Sequence, residues 1–385
     1  MNLYDIIIIG AGAAGLSAAG VATQQNKRVL LLEMGDVVAR KVMASGGGRC
    51  NITNAAVAVD RYFGENPNFV RSAISRVQYT DILKWAASHK IAITEKTTGR
   101  YFCTNGAKTV VDALIDDARD ADILIQQNVV DIEKNNGVFY VKTKENTFCG
   151  KSVIVATGGI SFANLGISDI GYKIAKKFGH KIIPVRPALC AINTPAFPNE
   201  LAGIALSVEI TIDKNKVRDD MLFTHFGIGG PATYRTSLFD TPNGISINFL
   251  PDVNITDIFK HAKRTNGRKN TTTILSEYLP SRVAKWIVGN DTRNIADIKD
   301  CELTEFANKI HKFHIAPNDI KTHGMMAAEV VRGGVSVDEI SSKTMESKLC
   351  SGLFLVGEVV DIAGDLGGFN LHWAWASGRI AGMYA

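Results

Sequence analysis

The residues best suited to chemistry stand at the start of the chain, where Gly10-Ala11-Gly12-Ala13-Ala14-Gly15 follows the apolar run from Asp5 to Gly10. Glycines at that spacing, between a strand and a helix, let a backbone approach a diphosphate. Gly10 permits the tight turn, Gly12 leaves the room a pyrophosphate needs, and Gly15 lets helix and strand pack closely. The helix N-terminus adds amides and positive potential. Glu33, with Met34 beside it, ends the next apolar run and supplies a carboxylate for a ribose hydroxyl. A glycine-rich turn with no nucleotide is the alternative, and the agreement of strand, glycines, helix and terminal acid weighs against it.

This fingerprint does not separate NAD from FAD, and the far end of the chain helps. Gly357 and Glu358 follow the apolar run Leu353 to Val356, and Asp361, Gly364, Asp365, Gly367 and Gly368 precede a terminal helix that opens with Phe369, Asn370 and Leu371. Such a returning segment can place an acid on a ribityl chain and a helix N-terminus beside a flavin pyrimidine. It could also be a flexible connection, but its coupling to the N-terminal motif favours FAD.

Four further segments carry a resemblance: Ser45-Gly46-Gly47-Gly48-Arg49-Cys50-Asn51, Leu222-Phe223-Thr224-His225-Phe226-Gly227, Thr344-Met345-Glu346-Ser347-Lys348, and Gly367-Gly368-Phe369-Asn370 with Trp373-Ala374-Trp375. Together they resemble the aminoacetone oxidase family of FAD-binding flavoproteins, which also includes bile-acid-pathway reductases. The resemblance implies a FAD domain built from both chain ends and interrupted by a β-barrel module and a small helical module. It further implies that Arg40, Lys41, Ser45 and the run Gly46, Gly47, Gly48, Arg49, Cys50, Asn51 lie along the cofactor. Val129 would meet the adenine through its backbone, and Ala156, Thr157, Gly158 and Gly159 would close over it.

Roles within that set stay open. Arg49 or Lys41 could neutralise phosphate or polarise the isoalloxazine, or Arg49 could form a structural ion pair. Cys50 has no partner cysteine nearby in sequence and is expected to pack or shield rather than attack. His225 could face substrate or hold a loop. The chain departs from the family at Ser161-Phe162-Ala163-Asn164, at Asp169-Ile170-Gly171-Tyr172, and at His372, where the family commonly has Gln. Arg49, His225 and His372 are therefore candidates for catalysis without assigned roles, and the substrate does not carry over.

The elements that must position these residues follow from periodicity. Asp5 to Gly10, Ala14 to Gln25 and Arg28 to Glu33 read as a βαβ unit. Helices are expected over Ser72 to Ser88 and Val110 to Ala118, then strands over Ile123 to Ile125, Val129 to Ile132, Val138 to Thr143 and Ser152 to Ala156. From about Pro184 the character changes, with Pro187, Pro195 and Pro198 punctuating short segments before an alternating strand, Ala205 to Ile212. Helices are expected over Thr256 to Lys263, Thr273 to Val288 and Leu303 to Phe313. The expected fold is α/β: a Rossmann-type FAD-binding domain over 1–187 and 340–385, an inserted antiparallel β-barrel module over 188–253 and 318–339, and a helical module over 254–317.

Composition bounds the function. At 385 residues with 46% hydrophobic side chains, the chain can bury more than one core. Its six cysteines contain no CxxC pair, so no zinc cage and no dithiol centre is expected, and a reducing cytoplasm suits them. No apolar stretch reaches the roughly 18 to 20 residues of a membrane span. The expectation is a flavin-dependent oxidoreductase acting on a small molecule, with NAD(P)H or oxygen as redox partner, no metal and no membrane. A net charge of +5 without a dense basic run argues against a nucleic-acid partner. The alternative reading is a flavin-bearing RNA-interaction protein using the basic β-barrel module.

Overall fold

A computed structural model describes residues 3–96, 99–162 and 166–385. The departure at Ala163 and Asn164 lies outside the described residues. The chain forms two compact units, Met1–Pro187 with Ala328–Ala385, and Ala188–Ala327. Residues 328–339, grouped with the barrel from sequence, fold with the first unit. Their strand Val330–Val335 pairs with Ile182–Ala188.

The first unit is built on strand β1 (Leu3–Ile9), helix α1 (Ala13–Thr23) and strand β2 (Val29–Leu32). β1 is parallel to β2 on one side, with Ile6 beside Val29. On its other side it is parallel to Thr147–Val155, with Ile9 beside Val155. Asp122–Leu124 extends the parallel sheet beyond β2. The Thr147–Val155 strand serves two partners. Its beginning pairs antiparallel with Val138–Thr143, and its end pairs parallel with Leu353–Leu355 from the far end of the chain. Strands buried on both faces read as continuous apolar runs, and Ile6 to Ile9 and Val29 to Leu32 do so. This is the Rossmann-type α/β arrangement expected.

The C-terminal helix, Phe369–Tyr384, lies against α1 at very short range. A Cβ on Gly378 would come within 2.2 Å of the Ala14 carbonyl oxygen, and one on Gly382 within 2.4 Å of that of Ala18. Two glycines one turn apart therefore let the helix backbones touch.

Two expected helices are each broken in two. Arg71–Arg76 and Tyr79–Ser88 replace a continuous Ser72 to Ser88, because Val77 is extended and Gln78 caps the second helix. Thr271–Leu275 and Ser281–Val288 replace Thr273 to Val288, because Pro280 removes a backbone donor and starts a new helix.

The second unit carries a seven-stranded antiparallel sheet, ordered from Phe313–Ile315 through Ile245–Asn248, Ala205–Ile212, Asn215–Thr224, Gly227–Gly229 and Ile192–Asn193 to Lys321–Thr322. Its outermost strands are joined by residues 316–320 alone. A flat sheet of that width would separate them by about 29 Å, at about 4.8 Å per step. The link spans at most about 21 Å, at up to about 3.5 Å per residue. The sheet must therefore curl toward closure, as a barrel-like module would. Phe197, Phe223, Phe249, Trp286 and Phe313 meet in one aromatic cluster, so sheet and helices share a core.

The glycine contact between the terminal helices generates a prediction. Gly378→Val forces a branched side chain against the α1 backbone and is expected to cost roughly 1–3 kcal/mol through overpacking. A thermal melt checks this, and an unchanged midpoint would show that the helices can separate freely.

Candidate functional site

The three glycines of the first turn have different surroundings. Gly10 sits at φ +102°, and a Cβ there would lie 2.5 Å from the Ala156 carbonyl oxygen. At Gly15 it would lie 1.9 Å from the Gly10 carbonyl oxygen. At Gly12 it would meet nothing within 4 Å. Two glycines thus bring backbone onto backbone, and the third opens onto space at the start of α1. That helix has no side-chain cap and no acid in its first turn, so its first amides face that space unclaimed.

Glu33 braces the turn. Its carboxylate accepts from the Ala11 amide at 2.9 Å and the Gly35 amide at 2.7 Å. Ala39 donates its amide to the Ala11 carbonyl at 2.8 Å, which ties on the helix Arg40–Gly48. Met34 is half-buried beside Glu33, and Val129 is buried at the start of Val129–Asn135. Arg40 pairs with Asp36.

Ala156, Thr157 and Gly158 lead from the central strand to the same region. Gly158, like Gly12, would present a Cβ to open space. The Thr157 hydroxyl and the Tyr172 phenol are buried and, among the described residues, have no hydrogen-bond partner. Burial, with the Glu358 carboxylate nearby, pushes the Tyr172 phenol above its ordinary range.

Lys41 and Glu358, 317 residues apart, form a bridge at 2.8 Å. The Lys41 ammonium also donates to the Ser161 hydroxyl at 2.8 Å. Glu358 accepts in addition from Ser161 at 3.1 Å and from the Val331 amide at 3.0 Å. Ser161 was a departure from the family pattern, and its place in this cluster was not visible in sequence. Gly357 is held by Ser377, which accepts its amide at 3.0 Å, and by Trp373, which donates to its carbonyl at 3.0 Å.

The second stretch, Ser45 to Asn51, departs from helical geometry at Ser45, Gly46 and Gly47. Gly47 and Gly48 border open space, and Arg49 is exposed. Ser45 donates to the Val42 carbonyl at 2.7 Å. Cys50 is fully buried, and its thiol is pushed up to about 12 by loss of solvent, with the Cys103 thiol adding to the shift. Burial thus favours the neutral thiol. Asn51, with its amide turned to satisfy both ends, donates to the Tyr101 carbonyl and accepts from the Gly368 amide, each at 3.2 Å. This bond ties the stretch to Gly367 and Gly368, both at positive φ, which lead into Phe369, Asn370 and Leu371 of the C-terminal helix. The Asn370 side chain accepts from the Gly364 amide at 2.7 Å and donates to its carbonyl at 2.9 Å.

The three candidates for catalysis do not come together in one unit. Arg49 belongs to the first unit, whereas His225 is exposed in the second. His372 is fully buried, with Nδ1 2.8 Å from the Thr53 hydroxyl and Nε2 3.0 Å from the Val77 carbonyl. The carbonyl can only accept, so Nε2 donates and Nδ1 accepts from Thr53. Burial lowers its pKa to about 4. A ring with both nitrogens engaged and no exposed surface reads as a structural pin. Among the described residues no cluster of His, Cys, Asp and Glu has the form of a metal site, and no helix is long and apolar enough to cross a membrane.

Open space in front of Gly12 and Gly158, uncapped helix amides and a carboxylate at Glu33 fit a diphosphate-linked dinucleotide. Fold and site define a Rossmann-type flavoprotein oxidoreductase, with FAD as its cofactor. The chain belongs to the family described as HI0933-like protein Rossmann domain, whose model matches residues 4–384. A ribosomal RNA dihydrouridine synthase of Escherichia coli (strain K12) is 35% identical, over 98% of this chain and 96% of that protein. One of the same name from Haemophilus influenzae is 38% identical, over 98% and 97%. A 3-dehydro-bile acid delta(4,6)-reductase of Clostridium scindens is 29% identical, over 98% of each.

Two predictions follow from this geometry. Gly12→Val is expected to fold with an unchanged melt in the absence of cofactor, because its side chain points into open space, yet to purify without FAD. Full flavin absorbance per chain would contradict the pyrophosphate assignment. The second concerns His372, whose folded pKa lies below its unfolded value. The unfolded chain takes up the proton first, so stability is intact above about pH 6.5 and is lost as pH falls toward about 4. The full shift corresponds to roughly 3 kcal/mol. His372→Gln should flatten that part of the stability profile, and a variant as acid-sensitive as the wild type would place the titration elsewhere.

Proposed function

We propose that this chain is an FAD-dependent reductase that converts a uridine of ribosomal RNA to dihydrouridine. The observation that carries the reading is the pair of relatives with that name, matched at 35% and 38% identity along nearly their whole length. Bound FAD supplies two-electron hydride chemistry, which suits saturation of a carbon–carbon double bond conjugated to a carbonyl, the change that turns uridine into dihydrouridine.

The chain's own residues bind and orient. The amides of Gly12, Ala13 and Ala14 at the start of α1 would hold the diphosphate, and Glu33, while bracing the loop, would take the ribose hydroxyls. Lys41, fixed by Glu358 and Ser161, keeps a cation at the site. The N-terminus of the C-terminal helix, which follows Gly367 and Gly368, would favour negative charge on a bound flavin. Reduction of a uridine takes up a hydride equivalent and a proton; NAD(P)H, binding transiently, is the proposed source of the hydride and leaves as NAD(P)⁺, and solvent supplies the proton.

A second reading, reduction of a small conjugated molecule, rests on the bile-acid relative matched over the same length. The test uses purified holoprotein, NADPH and ribosomal RNA that lacks the modification, followed by nuclease digestion and mass spectrometry. The expected result is one uridine heavier by two hydrogens. RNA of unchanged mass, with flavin that NADPH does reduce, would favour the small-molecule reading.

A further inference from the structure

We propose that the open cleft beside Phe226 in the second unit is a nucleobase subsite, which takes an unpaired RNA base by stacking it on the Phe226 ring. The proposal rests on the RNA reading above and adds to it a place where the RNA is held.

Phe226 sits with His225 in the turn between the strands Asn215–Thr224 and Gly227–Gly229. A single exposed aromatic is ordinary on a protein surface. This one is 41% exposed and is also immobilised from behind. Its ring lies on that of His323, centroids 4.1 Å apart and planes within 20°. His323 is fixed in turn, because its Nδ1 is 2.7 Å from the Asn193 side-chain oxygen and its amide donates to the Ala191 carbonyl at 2.9 Å. The Phe226 carbonyl accepts from the Thr194 amide at 3.0 Å. Next to it, Gly227 leaves no slack, since a Cβ there would lie 2.3 Å from the Ile192 carbonyl oxygen. A ring held this firmly loses little freedom when a ligand stacks on it.

Phe226 lines a cleft of about 490 Å³, and His323 does not. Phe226 is thus part of the cleft wall, and one face of its ring is backed by the imidazole. That volume lies within the roughly 300–1,000 Å³ of ordinary small-ligand clefts. The remaining wall is suited to a nucleotide rather than to a purely apolar guest. Asn199 and Asn318 offer amides, each both donor and acceptor, as the edge of a base requires, and Lys321 offers a cation for phosphate. Asp319 is the one carboxylate among the lining residues. Single-stranded RNA is commonly held by this pairing of an aromatic face with a nearby cation.

The experiment measures binding of a single-stranded oligouridylate to the flavin-loaded protein by fluorescence anisotropy. Phe226→Ala is expected to weaken binding roughly five-fold or more, the usual consequence of losing one stacked base. Phe226→Trp should retain it. The same oligouridylate annealed to oligoadenylate, with no unpaired base, should bind weakly and equally to wild type and Phe226→Ala. Wild type that does not bind the single strand, equal affinity of wild type and Phe226→Ala for it, or a duplex bound as tightly as the single strand would each overturn the proposal. The proposed function is read separately, from dihydrouridine in ribosomal RNA. Product formed equally well by wild type and Phe226→Ala sinks the cleft and leaves the function standing. Phe226-dependent oligouridylate binding without product does the reverse.

Discussion

Backbone meets backbone where the first strand turns into the first helix, and much of the first unit depends on that contact. The Gly10 carbonyl occupies the space a side chain at position 15 would need, and the Ala156 carbonyl occupies that of position 10. Helix α1 is thereby drawn onto the sheet with its first amides facing open space. Glu33 holds the loop by accepting from Ala11, so the residue proposed to take the ribose also sets the shape of the diphosphate cradle. The C-terminal helix then packs its Gly378 and Gly382 onto α1. Four close approaches, each possible only without a Cβ, link the two ends of the chain.

The returning C-terminal segment is fastened mainly by carboxylates that accept backbone or side-chain donors. Glu358 gathers Lys41, Ser161 and Val331. Asp361, buried, accepts from the amides of Glu65 at 2.7 Å and Gly333 at 3.0 Å. Asp365 pairs with Arg61 at 3.2 Å. Buried acids are costly unless satisfied, and Asp361 and Asp365 are each satisfied by a group from a distant part of the first unit. The same bonds fix the positions of Gly357, Gly367 and Gly368 relative to the first turn.

What could be read from sequence was what local chemistry dictates. The strand, the three glycines and Glu33 are contiguous or nearly so, and their spacing alone specified the turn. Ala205 to Ile212 alternated cleanly and is a strand with those bounds. The bridge between Lys41 and Glu358 was not legible, because nothing local marks a partner 317 residues away. His372 stood out as a substitution, but its burial between Thr53 and Val77 depends on packing of the C-terminal helix. The break at Pro280 was legible and was overridden by an amphipathic pattern that continues across it. The mild basic balance argued against RNA, whereas the cleft beside Phe226 offers an aromatic face and one cation, features that net charge does not register.

In the proposed reaction, electrons held on the bound flavin pass to a uridine in RNA. The most direct measurement is anaerobic: reduce the holoprotein with one equivalent of NADPH or dithionite, add unmodified ribosomal RNA, and follow the flavin spectrum. The account predicts that oxidised flavin returns as the RNA is added, with dihydrouridine formed in step with it. Flavin that stays reduced in the presence of that RNA, and is reoxidised when oxygen is admitted, would contradict it.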